Sequence, residues 1–508
     1  MLSNLDLSPC QRQGLAKGGV LSGRFPTWLN AMLEVNGSSA GGLFSWPGMM
    51  ILLAVVGGCA VAFADFNALY ICISLIAIAF IMIDFRVGVT LLIIVMPISA
   101  SYLFPHSIAG ITGLNPLNLL LVGTLFASLL QWKGGLKQLL PVPLKWYYIL
   151  PMGIAAAIGA GHVGEIPGDF YALNLINFVD SAGYLRDLLA KPLLTVLFAL
   201  LVGAAVAQSQ DRERFLIPML VSIWLMGLMS IVFVIISGIS LSALAGSGSR
   251  EFFAPLGMHA NDLGRCYAIA YALLLFSFAA SDDFRIRALL MASMGMVMIA
   301  LVFTFSRGAF VGFLVVNLLF LIAQRKIIAL LSASLFIAGI ALLLPSAVFD
   351  RLGSGWESGL NAFSAGRLDD IWLPLLPAIW KSPFFGSGLS SILWSDAMRE
   401  GYILQVTHPH NAYLRTLLDM GFCGLLLFGA YFVHVWKGFR SLGRDATLSP
   451  LLRGFYQGAA VGLVSFLLAG FAGSSLTPVP EQTFLWFAIG MMYGELARKS
   501  GEVSGVAA

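Results

Sequence analysis

Runs of apolar residues, bounded by charged, Gly or Pro positions, recur along the chain from Leu43 to Leu496. About 20 such residues make a helix that crosses the hydrocarbon of a bilayer. The runs predict spans at 43–64, 66–83, 87–104, 108–131, 146–163, 189–207, 215–238, 261–280, 287–305, 308–323, 327–345, 418–436, 454–474 and 482–496. Residues 87–132 hold no Asp, Glu, Lys or Arg, so their length demands two crossings, with Pro105-His106 as the break. The pattern predicts an all-α polytopic membrane protein with about 12–14 transmembrane helices. Its parts are an N-terminal segment 1–42, helices over 43–345, a large loop 346–417, helices over 418–496 and a tail 497–508.

Composition agrees with the pattern. Hydrophobic residues make up 59% and charged residues 11%, against about 25% charged in an average soluble domain. A soluble enzyme, a disordered chain and a secreted disulfide scaffold are excluded. With 29 Lys and Arg against 25 Asp and Glu, nothing grips a phosphate polymer, so nucleic acid is not an expected partner. Cys10, Cys59, Cys72, Cys266 and Cys423 form no CxxC pair and read as small apolar packing residues. The first apolar run begins too far in for a signal peptide and reads as a retained span.

Basic loops face the cytoplasm. With the N-terminus there, most Lys and Arg fall on that side, both termini are cytoplasmic, and the loop 346–417 is periplasmic. Residues 369–380 of that loop mix acids with an apolar face, which predicts a short amphipathic helix on the membrane surface. SPFFGSGLSS (382–391) follows as irregular backbone, which survives near a membrane by lining a cavity.

Arg250, Arg265, Arg307, Arg367 and Arg415 run against the orientation rule and are predicted at one depth near the outer interface. Arginine grips phosphate as a fork and keeps its charge when partly desolvated. Together the five suit an anionic, phosphate-bearing lipid head group. The structural alternative for each is snorkelling, or pairing with Asp262, Asp369 or Asp370. Arg307, in the short connector FTFSRGAF, has least freedom to wander. In VTHPHNAYL (406–414), His408 and His410 stand two apart across a Pro, and Asn411 is a good helix N-cap. In extended backbone two such side chains point the same way, and neutral imidazole takes a proton from a sugar hydroxyl. Two histidines without a third ligand make a poor metal site, so no metal or cofactor is expected.

The Ser-Arg-Gly at a span start, the GRLDDIW segment, the Pro-Phe-Phe-Gly-Ser-Gly turn and the His-Asn before the next helix resemble the O-antigen ligase and O-antigen polymerase (WaaL/Wzy-type) superfamily, over residues 245–430. The resemblance implies a GT-C-like glycosyltransferase of the bacterial inner membrane. Such an enzyme moves a glycan from an undecaprenyl-diphosphate donor to an acceptor sugar hydroxyl on the periplasmic face, inverting and without metal. The acceptor is lipid A-core for a ligase or the growing glycan for a polymerase; the N-terminal extension and extra spans lean toward the latter. Carried onto this chain, the resemblance makes His410 the catalytic base and Arg307 the chief diphosphate ligand. Arg250 and Arg367 join it. The residues themselves add Arg265, His408, Asn411 and Arg415 as further substrate-binding candidates. His259-Ala260-Asn261 departs from the commoner Pro-Asn, which weakens the assignment of Arg250. A protein O-oligosaccharyltransferase is an alternative within the family. A lipid-linked sugar flippase or anion transporter is the alternative outside it, disfavoured because the spans are nearly charge-free at mid-depth, Lys191 apart.

Overall fold

A computed structural model describes residues 66–102, 105, 107–108, 111–131, 140–240, 243–244, 252–324, 364, 366–473 and 475–501, with isolated positions 58, 353, 359 and 361. The segment 1–42, the expected spans 43–64 and 327–345, and Arg250 lie outside the described residues. The chain divides into two compact units, Met1–Leu69 and Tyr70–Ala508, and the second holds everything below.

Its longer helices are α1 (Phe66–Ile83, from Tyr70 on in this unit), α2 (Phe85–Val95), α3 (Pro116–Gln131), α4 (Leu150–Ala160), α5 (Lys191–Ala207), α6 (Leu216–Ser237), α7 (Ala260–Ala280), α8 (Phe284–Phe303), α9 (Arg307–Gln324), α10 (Leu373–Lys381), α11 (Ala412–Leu442), α12 (Pro450–Ala469) and α13 (Thr483–Lys499). The segments Ser181–Ala207, Glu213–Ser237, Ala260–Ala280, Phe284–Phe303, Ala412–Leu442 and Pro450–Ala472 are long and apolar enough to cross a membrane; Tyr70–Ile83, Phe85–Ile98, Pro116–Gln131 and Arg307–Ala323 are apolar but shorter. Caps set many of the ends. Asp84 accepts from the Arg86 amide, Asp283 from those of Arg285 and Ile286, and Ser449 from that of Leu452, while Gly238 closes α6 in the left-handed region.

Among the described residues the regular structure is helical apart from one small hairpin. Ser107–Ile108 (β1) pairs antiparallel with Ile111–Thr112 (β2), where the sequence predicts the start of a span at 108. Gly113 then turns with φ 90°, and Pro116 opens α3. Lys191, the ambiguous mid-span charge, is exposed and pairs with Asp187 at 2.8 Å.

Glycines at four-residue spacing bring the core helices together. A Cβ on Gly454 or Gly458 of α12 would stand 2.5 or 2.4 Å from the Phe276 or Ala272 carbonyl oxygen of α7. Gly490 and Gly494 of α13 meet the Ala199 and Gly203 carbonyls of α5 in the same manner. Without a hydrophobic drive between helices in lipid, such small residues allow the close packing that holds them. Tyr148, on a wide helical turn before α4, stacks on Phe428 at 4.4 Å, meets Trp486 edge-on at 5.4 Å and donates to the Leu476 carbonyl at 2.6 Å. It thereby ties α4, α11 and α13.

One long helix is broken on purpose. At Gly421 the backbone of α11 takes φ 65°, ψ −169°, and the stretch 383–388 docks into the break. The Phe422 and Cys423 amides donate to the Pro383 and Phe384 carbonyls at 2.7 and 3.1 Å. In return the Ser387 and Gly388 amides donate to the Leu418 and Asp419 carbonyls at 2.9 and 3.0 Å. Any side chain on Gly386 or Gly421 would strike the facing backbone within 2.6 Å. The irregular segment expected from the sequence thus serves as the missing turn of a helix. Beside it, α10 buries Leu375 and Ile379 and leaves a second apolar face, Leu373, Leu376 and Trp380, exposed.

Candidate active site

The histidine loop sits just ahead of α11. Asn411 caps that helix, its Oδ1 accepting from the Tyr413 and Leu414 amides at 3.0 and 3.1 Å. His408 and His410 lie with ring centroids 4.2 Å apart, as side chains two residues apart in extended backbone would. The backbone differs, however. His410 has φ 54°, a left-handed turn that swings the chain into the cap. From the π-helical turn Leu368–Trp372, Trp372 donates its indole N–H to the Pro409 carbonyl at 2.8 Å. That bond fastens the GRLDDIW segment, with Arg367 at its head, to the histidine loop.

His408 is largely buried. Burial first, then the nearby His410 and the guanidiniums of Arg415, Arg265 and Arg367, push its pKa down to about 2. A ring surrounded by that much positive charge stays neutral. Three of the predicted arginines therefore act on His408.

Arg415 lies one turn into α11. Its Nη2 donates to Ser390 Oγ at 3.0 Å and its Nε reaches Asp419 Oδ2 at 3.4 Å. The buried Asp419 accepts in addition from the Ser391 amide and hydroxyl, both at 3.0 Å. Arg265, 5% exposed, donates to Glu481 at 3.0–3.2 Å and to Asp262. The paired geometry weighed for Arg265 is the one seen: this guanidinium is held rigidly between two acids. Burial, helped by Asp262, raises the Glu481 carboxyl against the pull of Arg265.

Arg307 is the first residue of α9 and is half-buried. The turn before it contains Phe305 at φ 44°. Gly264, next to Arg265, presses on this turn; a Cβ there would stand 2.9 Å from Thr304 Oγ1 and 2.6 Å from the Ala309 Cβ. The residue before Arg265 thus packs on the side chains that flank Arg307 in sequence. The starts of α7 and α9 meet here, and helix N-termini favour anions. Phe305, Ser390 and His410 are three of the four described non-glycine residues with positive φ. Strained backbone of this kind concentrates at functional sites.

The structure sets His408, His410 and Asn411 in one loop, fastens the segment of Arg367 to it, brings the charges of Arg265, Arg367 and Arg415 to bear on His408, packs Gly264 on the turn at Arg307, and does not describe Arg250. Sequence reading missed Glu481, Asp419 and Trp372. Glu481 carried a signal, being an acid at the edge of an apolar run. Asp419 carried one too, as the second residue of the span predicted at 418–436. Among the described residues, no group of three or more His, Cys, Asp or Glu is arranged to hold a metal ion.

Fold and site define a many-helix membrane protein with arginines and a histidine pair at one end. Residues 289–429 match the family model described as O-antigen ligase (Wzy_C), which supports the resemblance to the O-antigen ligase and polymerase superfamily and an O-antigen ligase-type, glycosyltransferase-like activity. The match runs from α8 to the upper part of α11. It takes in Arg307, Arg367, His408, His410, Asn411 and Arg415, while Arg250 and Arg265 precede it. No curated protein compared with the chain matches it. Substrates of the matched family are, in general, a lipid-linked glycan and an acceptor.

Proposed function

We propose that the protein transfers a glycan from an undecaprenyl-diphosphate donor to an acceptor sugar hydroxyl on the periplasmic face of the bacterial inner membrane, both termini being cytoplasmic. The observation that carries this reading is the close His408–His410 pair, its rings 4.2 Å apart and tilted, with the guanidiniums of Arg265, Arg367 and Arg415 acting on His408.

In the reaction His410 takes the proton of the acceptor hydroxyl. The freed oxygen attacks the anomeric carbon from the face opposite the diphosphate. The bond from that carbon to the phosphate oxygen breaks, and undecaprenyl diphosphate leaves with the electron pair, inverting the centre. Charge building on the leaving oxygens is met by Arg307 and Arg367, with Arg250 as a further ligand; fixed donors aimed at developing charge lower a barrier most. Arg265 serves as a rigid rim, its charge partly offset by Glu481 and Asp262. Asn411 and Arg415 hold the loop in place. His408, so weakly basic, fits an orienting role, because a base works best with a pKa near the working pH. The donor machinery suits a polymerase and a ligase alike.

Purified protein in detergent, supplied with lipid-linked glycan and acceptor, should form product with no second compartment present. A chain that moves the lipid across vesicles but forms no glycosidic bond would replace this reading with transport.

A further inference from the structure

A second polar site lies behind the first and is absent from the sequence reading. A cavity of about 290 Å³ is lined by residues of the α4 end (Ile158, His162, Glu165), the α10 end (Lys381) and the segment 386–399. Its volume is near the lower bound of small-molecule pockets, about 300–1,000 Å³, which suits one small ring and no lipid tail. One wall is a chain of alternating charge. Lys381 pairs with Asp396; Asp396 takes Arg399 at 2.8 Å; Arg399 reaches Glu165 at 3.3 Å; and Glu165 accepts from His162 at 2.7 Å. The hydroxyl residues Ser387, Ser391 and Ser395 also line the cavity.

The decisive atom is the Trp394 indole N–H. Trp394 is 5% exposed, lines the cavity and has His162 stacked over it at 5.5 Å. Its Nε1 is buried with no hydrogen-bond partner among the described residues. A buried donor without an acceptor costs about 1–3 kcal/mol, and a ligand oxygen would relieve it. The ion chain is already balanced, so it offers an anion little, yet its carboxylates and guanidinium keep spare acceptors and donors for hydroxyl groups.

We infer that this cavity binds one neutral sugar residue of a glycan, with Trp394 Nε1 donating to a sugar oxygen and the Asp396–Arg399–Glu165 chain reading its hydroxyls. The inference rests on the glycan-transfer reading for its biological sense but not for its chemistry. The two sites share a wall: Ser391 lines the cavity and donates to Asp419, the partner of Arg415. The sugar belongs either to the acceptor or to the lipid-linked donor.

Saturation-transfer NMR on the full chain in detergent, with methyl glycosides of a neutral hexose and of a hexuronate, tests the assignment. Wild type and His410→Ala should both bind the neutral glycoside. Trp394→Phe, which removes little but the N–H, should weaken it about fivefold to tenfold, the effect of one lost buried hydrogen bond. Ser387→Phe, which fills the cavity while keeping the backbone bond to Leu418, should abolish binding. Neutral glycoside binding unchanged in both variants, or preference for the hexuronate, would overturn the assignment. In transfer assays, a raised KM for acceptor in Trp394→Phe marks the sugar as the acceptor's, and a raised KM for donor marks it as the donor's. Sugar binding without any glycan transfer would sink the proposed function and leave the subsite standing.

Discussion

At the scale of single residues, the two histidines should separate cleanly. His410→Ala should lower turnover on the order of 10²–10⁴-fold, the range for loss of a general base, and His408→Ala should cost less. A rate assay with saturating donor decides it, and a larger loss at His408 would exchange their roles. Arg307→Ala should lower transfer about 10–150-fold while the protein still inserts, since a charge-assisted contact of about 1.5–3 kcal/mol is removed. Arg307→Lys should restore only part of the rate, because an ammonium cannot grip two oxygens as a fork does. His408 also makes a stability prediction. Its folded pKa, about 2, lies below the unfolded value of about 6.5. Below that unfolded value only the unfolded chain takes the proton, so stability is full above it and falls as the pH drops. The slope approaches ~1.4 kcal/mol per unit for a fully neutral ring. The difference in thermal unfolding between wild type and His408→Gln, followed from pH 7.5 to 5, should therefore shrink as the pH falls. A constant difference would refute it.

Elements show where sequence reading succeeds and where it stops. Helices such as α6, α7 and α8 were legible because apolar length, with caps such as Asp283, fixes both existence and ends. Asn411 announced the start of α11 for the same reason. The kink at Gly421 was not legible, because a single Gly inside an apolar run is ordinary in a membrane helix. What breaks the helix is a partner strand some thirty-five residues earlier in the chain. The hairpin at 107–112 escaped because its residues are as apolar as a span. The break at Gly421 is open to test. Gly421→Ala places a Cβ 2.4 Å from the Phe384 carbonyl in a left-handed backbone, a cost on the order of 2–4 kcal/mol. Thermal melting should drop and transfer should fall with it, since the segment 383–388 also carries the chain toward Ser390 and Ser391. An unchanged melt would mean that the two backbones are not in contact.

For the whole molecule, membrane sidedness is the boldest expectation. A reporter active only outside the cytoplasm should give signal when fused after residue 390 and none after residue 445. The reverse result would put His410 on the wrong side and end the proposed mechanism. Much of the site could be found from sequence because arginines stand out where positive charge is disfavoured, and because His408 to Arg415 are contiguous. The balancing acids were harder to find. Glu481 lies 216 residues from Arg265, and Glu165 lies 234 from Arg399. No spacing rule reaches that far; only the folded bundle brings them together.

The docked segment at Gly421 also constrains how substrates arrive. Four backbone hydrogen bonds join α11 to residues 383–388, two on each side of the break, and hold only while that segment stays seated; each buried group left bare would cost about 1–3 kcal/mol. The floor of the large loop is thus a fixed part of the wall and does not swing as a lid. Under the proposed function, donor and acceptor then meet along a rigid wall, and no gate has to open between them.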